Sequence, residues 1–421
     1  GVVPTCRNVS SRSTKPIKLR LPTQLLSGVG MKAILALLFL HMLSIGTTQL
    51  VVPLYSLTLG ASPVELGIIV GALGVAGIFF SIPSSVLCDY LARRRMILAS
   101  FLLWIAAGTV GLLTSSLPLL ACVQMLIGLA DVCFSVAGIT YLTEVSPPGK
   151  HAEIQSLSTG LMGLGMFAGP VLGGYVSRVG GFRPVFGLVV LLGTLGVALC
   201  YRLPEVKQPI GESGTFLEQL FLQHRSALVL LRENRPARMA ILLTLLGTAS
   251  WMAVGPSFYV VYLNHLSFSL EVIGFLAALR AGAAVLSRFG FFVLAKHAGA
   301  AVVPLLGLAL SGLTLTMTPF LTSVPILAVV GCLGEGADKL RIPGIYTLIA
   351  TGTDQNNRSL AVALVNVSWA VTSATVPVVL GLIAERISLS ATFLVAGPIA
   401  VLSAILLYAW SRQRALEPPR S

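Results

Sequence analysis

Apolar residues run through this chain in long blocks cut by short polar stretches. Each block is close to the roughly 20 residues that an α-helix needs to cross about 30 Å of hydrocarbon. Backbone polar groups inside lipid must be paired within their own segment, so the blocks read as helices. The pattern predicts six spans near residues 33–54, 66–87, 96–114, 119–141, 157–176 and 185–200. A polar stretch follows, and then six more near 239–262, 272–294, 301–321, 326–350, 360–383 and 391–409. Proline, glycine and charge mark most of the connections.

The blocks also repeat. Tyr55 and Gly67 stand at the same separation as Tyr262 and Gly274, and in that register Asp89 falls on Lys296. Further on, Gly138-Ile139 matches Gly344-Ile345, and Pro170 with Gly174 matches Pro377 with Gly381. An offset near 207 holds throughout, more than chance apolar similarity gives. The expected fold is an all-α membrane protein with twelve transmembrane helices in two pseudo-symmetric six-helix bundles. Parallel halves of this kind place a transporter's site at their interface.

Composition changes the picture in one respect. Charged residues make up 10% of the chain, against about 25% in a soluble domain, which excludes a water-soluble fold. A formal net charge of +13 would suit nucleic acid, but the cations cluster between apolar blocks, where they set topology. Partners are therefore expected to be the lipid bilayer and a small solute, with no nucleic acid. An even number of spans puts both termini on one side. That side holds Lys32, the Arg93-Arg94-Arg95 run and Lys296, while the other holds only Arg178, Arg183 and Arg386. The protein is thus expected to be multi-pass in the cell membrane, with both termini cytoplasmic.

Domain limits follow from the same reading. Residues 1–30 form a basic, acid-free extension, expected to be disordered, with a transit peptide as the alternative and Met31-Lys32 as another candidate start. The first bundle covers 31–203 and the second 237–411. Between them lies a cytoplasmic central loop, 204–236, in which residues 215–234 are amphipathic and suit a helix lying on the membrane surface. A cytoplasmic tail covers 412–421. The six cysteines are scattered, without metal-ligand spacing or a disulfide framework. No phosphate-binding loop or nucleophile elbow occurs, so neither a cofactor nor an enzyme is expected.

At the second connection the chain reads Ser85-Val86-Leu87-Cys88-Asp89-Tyr90-Leu91-Ala92-Arg93-Arg94-Arg95. This resembles the loop signature of the major facilitator superfamily, G-x-L-x-D-R-x-G-R-[RK]. Leu87, Asp89, Arg93 and Arg94 fall on the pattern, Ser85 and Ala92 replace its glycines, and Tyr90 replaces its first arginine. In the fifth span, Gly165 to Gly174 is similar to the family's antiporter signature ending G-x-x-x-G-P-x-x-G-G, with Ser156 at its upstream glycine. Two further departures matter more. Gln124 stands where many proton-coupled members place an arginine, and Lys296 occupies the Asp89 equivalent.

The resemblance implies a gate built from Asp89, Arg93 and Arg94, with Asp89 facing the start of the eleventh helix. Gly169, Pro170, Gly173 and Gly174 join it through the fifth span. It also implies that the fourth and tenth spans line a central cavity. Ionisable groups within spans are costly and are functional candidates by default. Asp131 lies in the fourth span, and Glu335, Asp338, Lys339 and Arg341 lie in the tenth. Glu335 with Lys339, and Asp338 with Arg341, have ion-pair spacing on a helix, whereas Asp131 lacks such a partner. Asp131 is therefore the favoured proton-coupling acid. Arg280 and Arg288 share a face of the eighth span, suited to an anionic solute or to structural pairing. His41, Gln49, Trp251, Tyr259, Asn366 and Trp369 complete the cavity candidates, a packed histidine being the plainer role for His41.

Taken together, these features suggest secondary active transport of a small solute by alternating access, with proton-coupled efflux as the leading reading. Uptake or facilitated diffusion of an organic anion or sugar is the runner-up. A non-transporting membrane sensor is the alternative of another class. A monomer is expected.

Overall fold

The structure is a computed structural model that describes residues 28–147, 151–205, 230–232, 234–254, 257–299, 302–353 and 355–413. The extension before residue 28, most of the expected amphipathic segment and the tail after residue 413 lie outside the described residues. Six helices build the first half: α1 (Gly28–Thr58), α2 (Pro63–Tyr90), α3 (Arg93–Leu113), α4 (Leu117–Val145), α5 (His151–Gly180) and α6 (Arg183–Cys200). The second half holds α7 (Arg235–Val254), α8 (Phe258–His265), α9 (Leu270–Ala298), α10 (Val303–Met317), α11 (Val324–Lys339), α12 (Arg341–Gly352), α13 (Gln355–Arg386) and α14 (Leu389–Gln413).

These helices make twelve crossings: α11 with α12 forms one interrupted span, and α7 with α8 forms another on either side of residues 255–256, which lie outside the described residues. Eleven stretches are long and apolar enough to cross a bilayer by length and composition. The twelfth, α11 with α12, carries Glu335, Asp338, Lys339 and Arg341 around its break. The sequence pattern predicts one helix there; Pro343 explains the difference, since it has no N–H to give the Lys339 carbonyl. Helix α1 begins at Gly28, within the stretch expected to be an extension.

The repeat governs local structure in detail. Helix α1 ends in a Schellman turn: Ala61 N–H reaches the Ser56 carbonyl at 3.0 Å, with Gly60 at φ +83°. At the matching place after α8, Phe268 N–H reaches the Leu263 carbonyl at 3.2 Å, with Ser267 at φ +61°. Ser267 is the non-glycine residue with positive φ among those described. A left-handed conformation costs an L-residue about 1–2 kcal/mol, so the second half tolerates strain that glycine removes from the first. Ser62 then caps α2 in a capping box with Glu65, and Ser269 caps α9. Deeper in, the Tyr55 hydroxyl donates to the Thr114 carbonyl at 2.8 Å and lies against Phe186. Tyr262 donates likewise to Pro319 at 3.1 Å and lies against Phe393.

The two halves meet through α2 with α13 and α5 with α9. A methyl group placed on Gly67 would strike the Pro377 carbonyl, and one on Gly274 would strike that of Pro170. Gly381 meets Pro63, and Gly174 meets Leu270, in the same reciprocal way. Each contact thus has a partner generated by the repeat. Leu50, Leu54, Leu66 and Val70 of the first half join one buried cluster with Tyr259, Leu263, Ile273 and Leu380 of the second. This seals the face opposite the termini. Across it Arg178 pairs with Glu271, and Glu385 accepts from Val64 N–H at 3.2 Å. Exposed ion pairs contribute only about 0–1 kcal/mol, so backbone packing does most of the sealing. Toward the termini, α4 and α12 make no comparable contact among the described residues.

Two outcomes follow. Ser267→Gly should raise the melting midpoint of the purified protein, by an amount near 1 kcal/mol of stability; no rise would mean that Ser267 does not occupy the left-handed region. Gly67→Val should part α2 from α13, so that a Val64→Cys/Glu385→Cys pair, scored by peptide mapping, crosslinks several-fold less than with Gly67 intact.

Candidate functional site

Below the sealed face the halves enclose a cavity of about 200 Å³. Its first-half wall is Met42, Gln49, Leu50, Met162, Met166 and Pro170, from α1 and α5. Its second-half wall carries Trp251, Arg280, Arg288, Glu335 and Lys339, from α7, α9 and α11. All four charged lining residues therefore come from one half. A second cavity, of about 170 Å³, lies within the second half and includes Thr244, Arg341, Asn366 and Trp369. Both share Trp251 and Lys339, whose ammonium sits 4.2 Å above the indole ring.

Charge is buried here at a cost that pairing must offset. The Glu335 carboxylate accepts from Arg280 at 2.7 Å and from the Trp251 indole at 2.8 Å, with Lys339 at 3.1 Å. Asp338 accepts from Lys339 at 2.9 Å and from Arg341 at 3.2 Å. Arg341 also reaches the Leu243 carbonyl at 3.3 Å, and Arg280 lies 4.2 Å over the Tyr259 ring. The helical spacing of these acids and bases thus becomes actual pairing. Arg288 is different. Among the described residues no hydrogen bond or ion pair reaches its guanidinium; its Nε, like that of Arg280, is buried without an acceptor. Four cations face two carboxylates, so the cluster holds an excess of positive charge.

In the first half Asp131 does not line either cavity. Its partner comes from another helix: His41 Nε2 lies 3.0 Å from Asp131 Oδ1, and Ser135 donates to the same oxygen at 3.3 Å. His41 is fully buried and stacked on Phe134 at 4.1 Å. The Trp104 indole donates to His41 Nδ1 at 3.1 Å. An indole N–H is only a donor, so Nδ1 must accept, and the ring proton sits on Nε2, aimed at Asp131. His41 is therefore a packed, hydrogen-bonded residue rather than a cavity wall. The sequence reading did not include Trp104; nothing in its apolar surroundings distinguishes it from core.

The predicted gate residues divide. The Asp89 side chain lies outside the described residues. Arg93 is buried at the start of α3, 3.4 Å from Glu144 at the end of α4. Arg94 lies 5.6 Å over the Tyr201 ring. In α5, Gly165 and Gly169 pack against the α1 backbone at Phe39 and Thr47, and Thr47 donates to the Gly169 carbonyl at 3.2 Å. Gly173 continues that seam toward Val51. Pro170 and Gly174 instead face α9 across the halves. Small residues four apart allow such close approach between membrane helices. The methionine wall also lay outside the sequence reading, although Met162 and Met166 stand one helical turn apart.

Comparison with known proteins gives the chain its context. The model of the Major Facilitator Superfamily matches residues 34–260 and again 240–421. The chain is 23% identical over 163 residues to an uncharacterized MFS-type transporter of Methanocaldococcus jannaschii, covering 39% of this chain and 42% of that protein. It is 26% identical over 203 residues to the multidrug efflux protein YfmO of Bacillus subtilis, covering 47% and 51%. The chain thus matches about half the length, or less, of these curated relatives. Among solved structures, a point mutant of the nucleoside transporter NupG superposes with a TM-score of 0.76 at 14% identity, over 90% of this chain and 99% of that one. That likeness concerns the fold alone.

Glu335→Gln should leave Arg280 and Lys339 without their full counter-charge. Removing one partner of a buried pair costs about 3–5 kcal/mol, so the melting midpoint in detergent should fall clearly, and further than for Asp131→Asn, whose partner His41 is neutral. Equal shifts for the two variants would contradict the network.

Proposed function

This chain belongs to the Major Facilitator Superfamily, and we propose that it is a secondary transporter moving a small amphipathic solute by alternating access, coupled to protons and directed outward. The observation that carries this reading is the polar cavity at the seam of two repeat-related bundles, sealed on one face by contacts that the same repeat generates. Contacts made of bare backbone and apolar side chains can separate without stranding buried charge. The Arg178–Glu271 pair is exposed and is re-solvated when the halves part. Rocking the bundles about this seam then opens the opposite access.

Sidedness comes from the cations. The face bearing the termini is rich in lysine and arginine, which makes it cytoplasmic. The sealed face is then the outer one, and the cavity loads from the cytoplasm in this state. Outward direction draws on the antiporter-like glycine run of α5 and on the efflux protein among the relatives.

Coupling is assigned to Asp131. With Trp104 donating to His41 Nδ1, a proton added to the imidazole would break that bond. A proton added to Asp131 breaks none, because its oxygens go on accepting from His41 and Ser135. The carboxylate is the group assigned to take the proton, with His41 holding it in position. Neutralising the carboxylate weakens, without breaking, the charge-assisted bond by which α1 holds α4 inside the first bundle, and α1 packs on α5 at the seam.

In proteoliposomes holding the full chain, an imposed pH gradient should speed solute flux several-fold over flux at equal pH. Asp131→Asn should erase that dependence while exchange at equal pH continues. Gradient-indifferent flux in the unaltered protein would reject the coupling, and solute binding without any flux would make the protein a sensor.

A further inference from the structure

We propose that the solute is an organic anion with an apolar body, and that Arg288 is the residue that reads its charge; this rests on the transporter reading above. The two cavity walls differ in kind. Met42, Leu50, Met162 and Met166 present a soft apolar surface that adapts to irregular shapes. The facing wall presents Arg280, Arg288 and Lys339 with one carboxylate, Glu335. That carboxylate is already occupied by Arg280, Lys339 and the Trp251 indole. Nothing anionic on the wall is left for a cationic solute, which two excess charges repel.

On the cavity wall, Arg288 is the cation without a counter-ion among the described residues. A charged side chain deep in a membrane helix costs about 2.5–3.5 kcal/mol or more, and Arg280, Lys339 and Arg341 meet that cost through Glu335 and Asp338. For Arg288 neither carboxylate lies within ion-pair distance among the described residues, so no part of its guanidinium has a partner there, whereas Arg280 shares only an unpaired Nε with it. It lines the cavity beside Arg280, eight residues earlier on the same face of α9. An entering carboxylate, sulfonate or phosphate would supply the missing charge and take the guanidinium's paired N–H donors side by side. The apolar body would lie against the methionines. A cavity of about 200 Å³, below the ~300–1,000 Å³ of drug-sized pockets, suits a small body.

Three probes sharing one body test this: 1-naphthoate, 1-naphthalenemethanol and 1-naphthylmethylammonium, titrated calorimetrically against the full chain in phosphatidylcholine nanodiscs. Naphthoate should bind about tenfold or more tightly than the other two. Arg288→Gln should abolish that preference, and Arg288→Lys should retain part of it, which separates charge reading from misfolding. Equal binding of the three, preference for the ammonium, no binding of any, or an unchanged preference in Arg288→Gln would overturn the proposal. Displacement of naphthoate by added phosphatidylglycerol would overturn it in favour of a lipid headgroup. Flux in proteoliposomes separates the two readings. Arg288-dependent binding without flux would sink the transporter and keep the anion site, whereas flux of the alcohol or ammonium matching that of naphthoate would sink the anion site alone.

Discussion

The contact between the halves depends on glycine, which lets one helix backbone reach another's carbonyl, and it does so at Gly67, Gly274, Gly174 and Gly381 in one reciprocal pattern. In lipid no hydrophobic gain draws helices together, so close approach and dispersion carry the association. A side chain at any of the four would part α2 from α13 or α5 from α9. The seal on one face, the cavity beneath it and the divergence of α4 from α12 all depend on these four approaches. These approaches involve few directional bonds, so the seam rests on shape and dispersion rather than on hydrogen bonding.

Against that symmetric frame the polar groups are distributed unequally. The first half holds a chain of hydrogen bonds, Trp104 to His41 to the half-buried Asp131 carboxylate, away from the cavity. The second half holds six ionisable side chains with an excess of cations, four of them on the cavity wall. A shared origin for the halves explains their turns, caps and tyrosine bonds, while the chemistry has drifted apart. The Asp131 arrangement and the cationic wall thus lie apart, joined through α1 and α5 along the glycine seam at Thr47.

Strain is distributed in the same unequal way. Gly60 and Ser267 occupy the same turn of the repeat with the same hydrogen bonds, yet only one is a residue suited to positive φ. The turn persists because the helices on either side of it are set by their packing, and a cost of about 1–2 kcal/mol is small beside that.

Span number, helical class and the repeat were legible in the sequence, because lipid demands continuous apolar helices and leaves few alternatives. So were the partners within the tenth span, since helical spacing alone brings Glu335 to Lys339 and Asp338 to Arg341. The interruption at Leu340 was less legible: the apolar count passes over it, and only Pro343 marks it. What the chain order could not show was any pairing between helices. Asp131 reads as partnerless until α1 brings His41 to it, Trp104 reads as core until it meets an imidazole nitrogen, and Arg280 and Arg288 read alike until Glu335 takes one of them. Periodicity reports which face of a helix a residue occupies, but only packing decides which neighbour that face meets. The charge left over on Arg288 is a property of that packing.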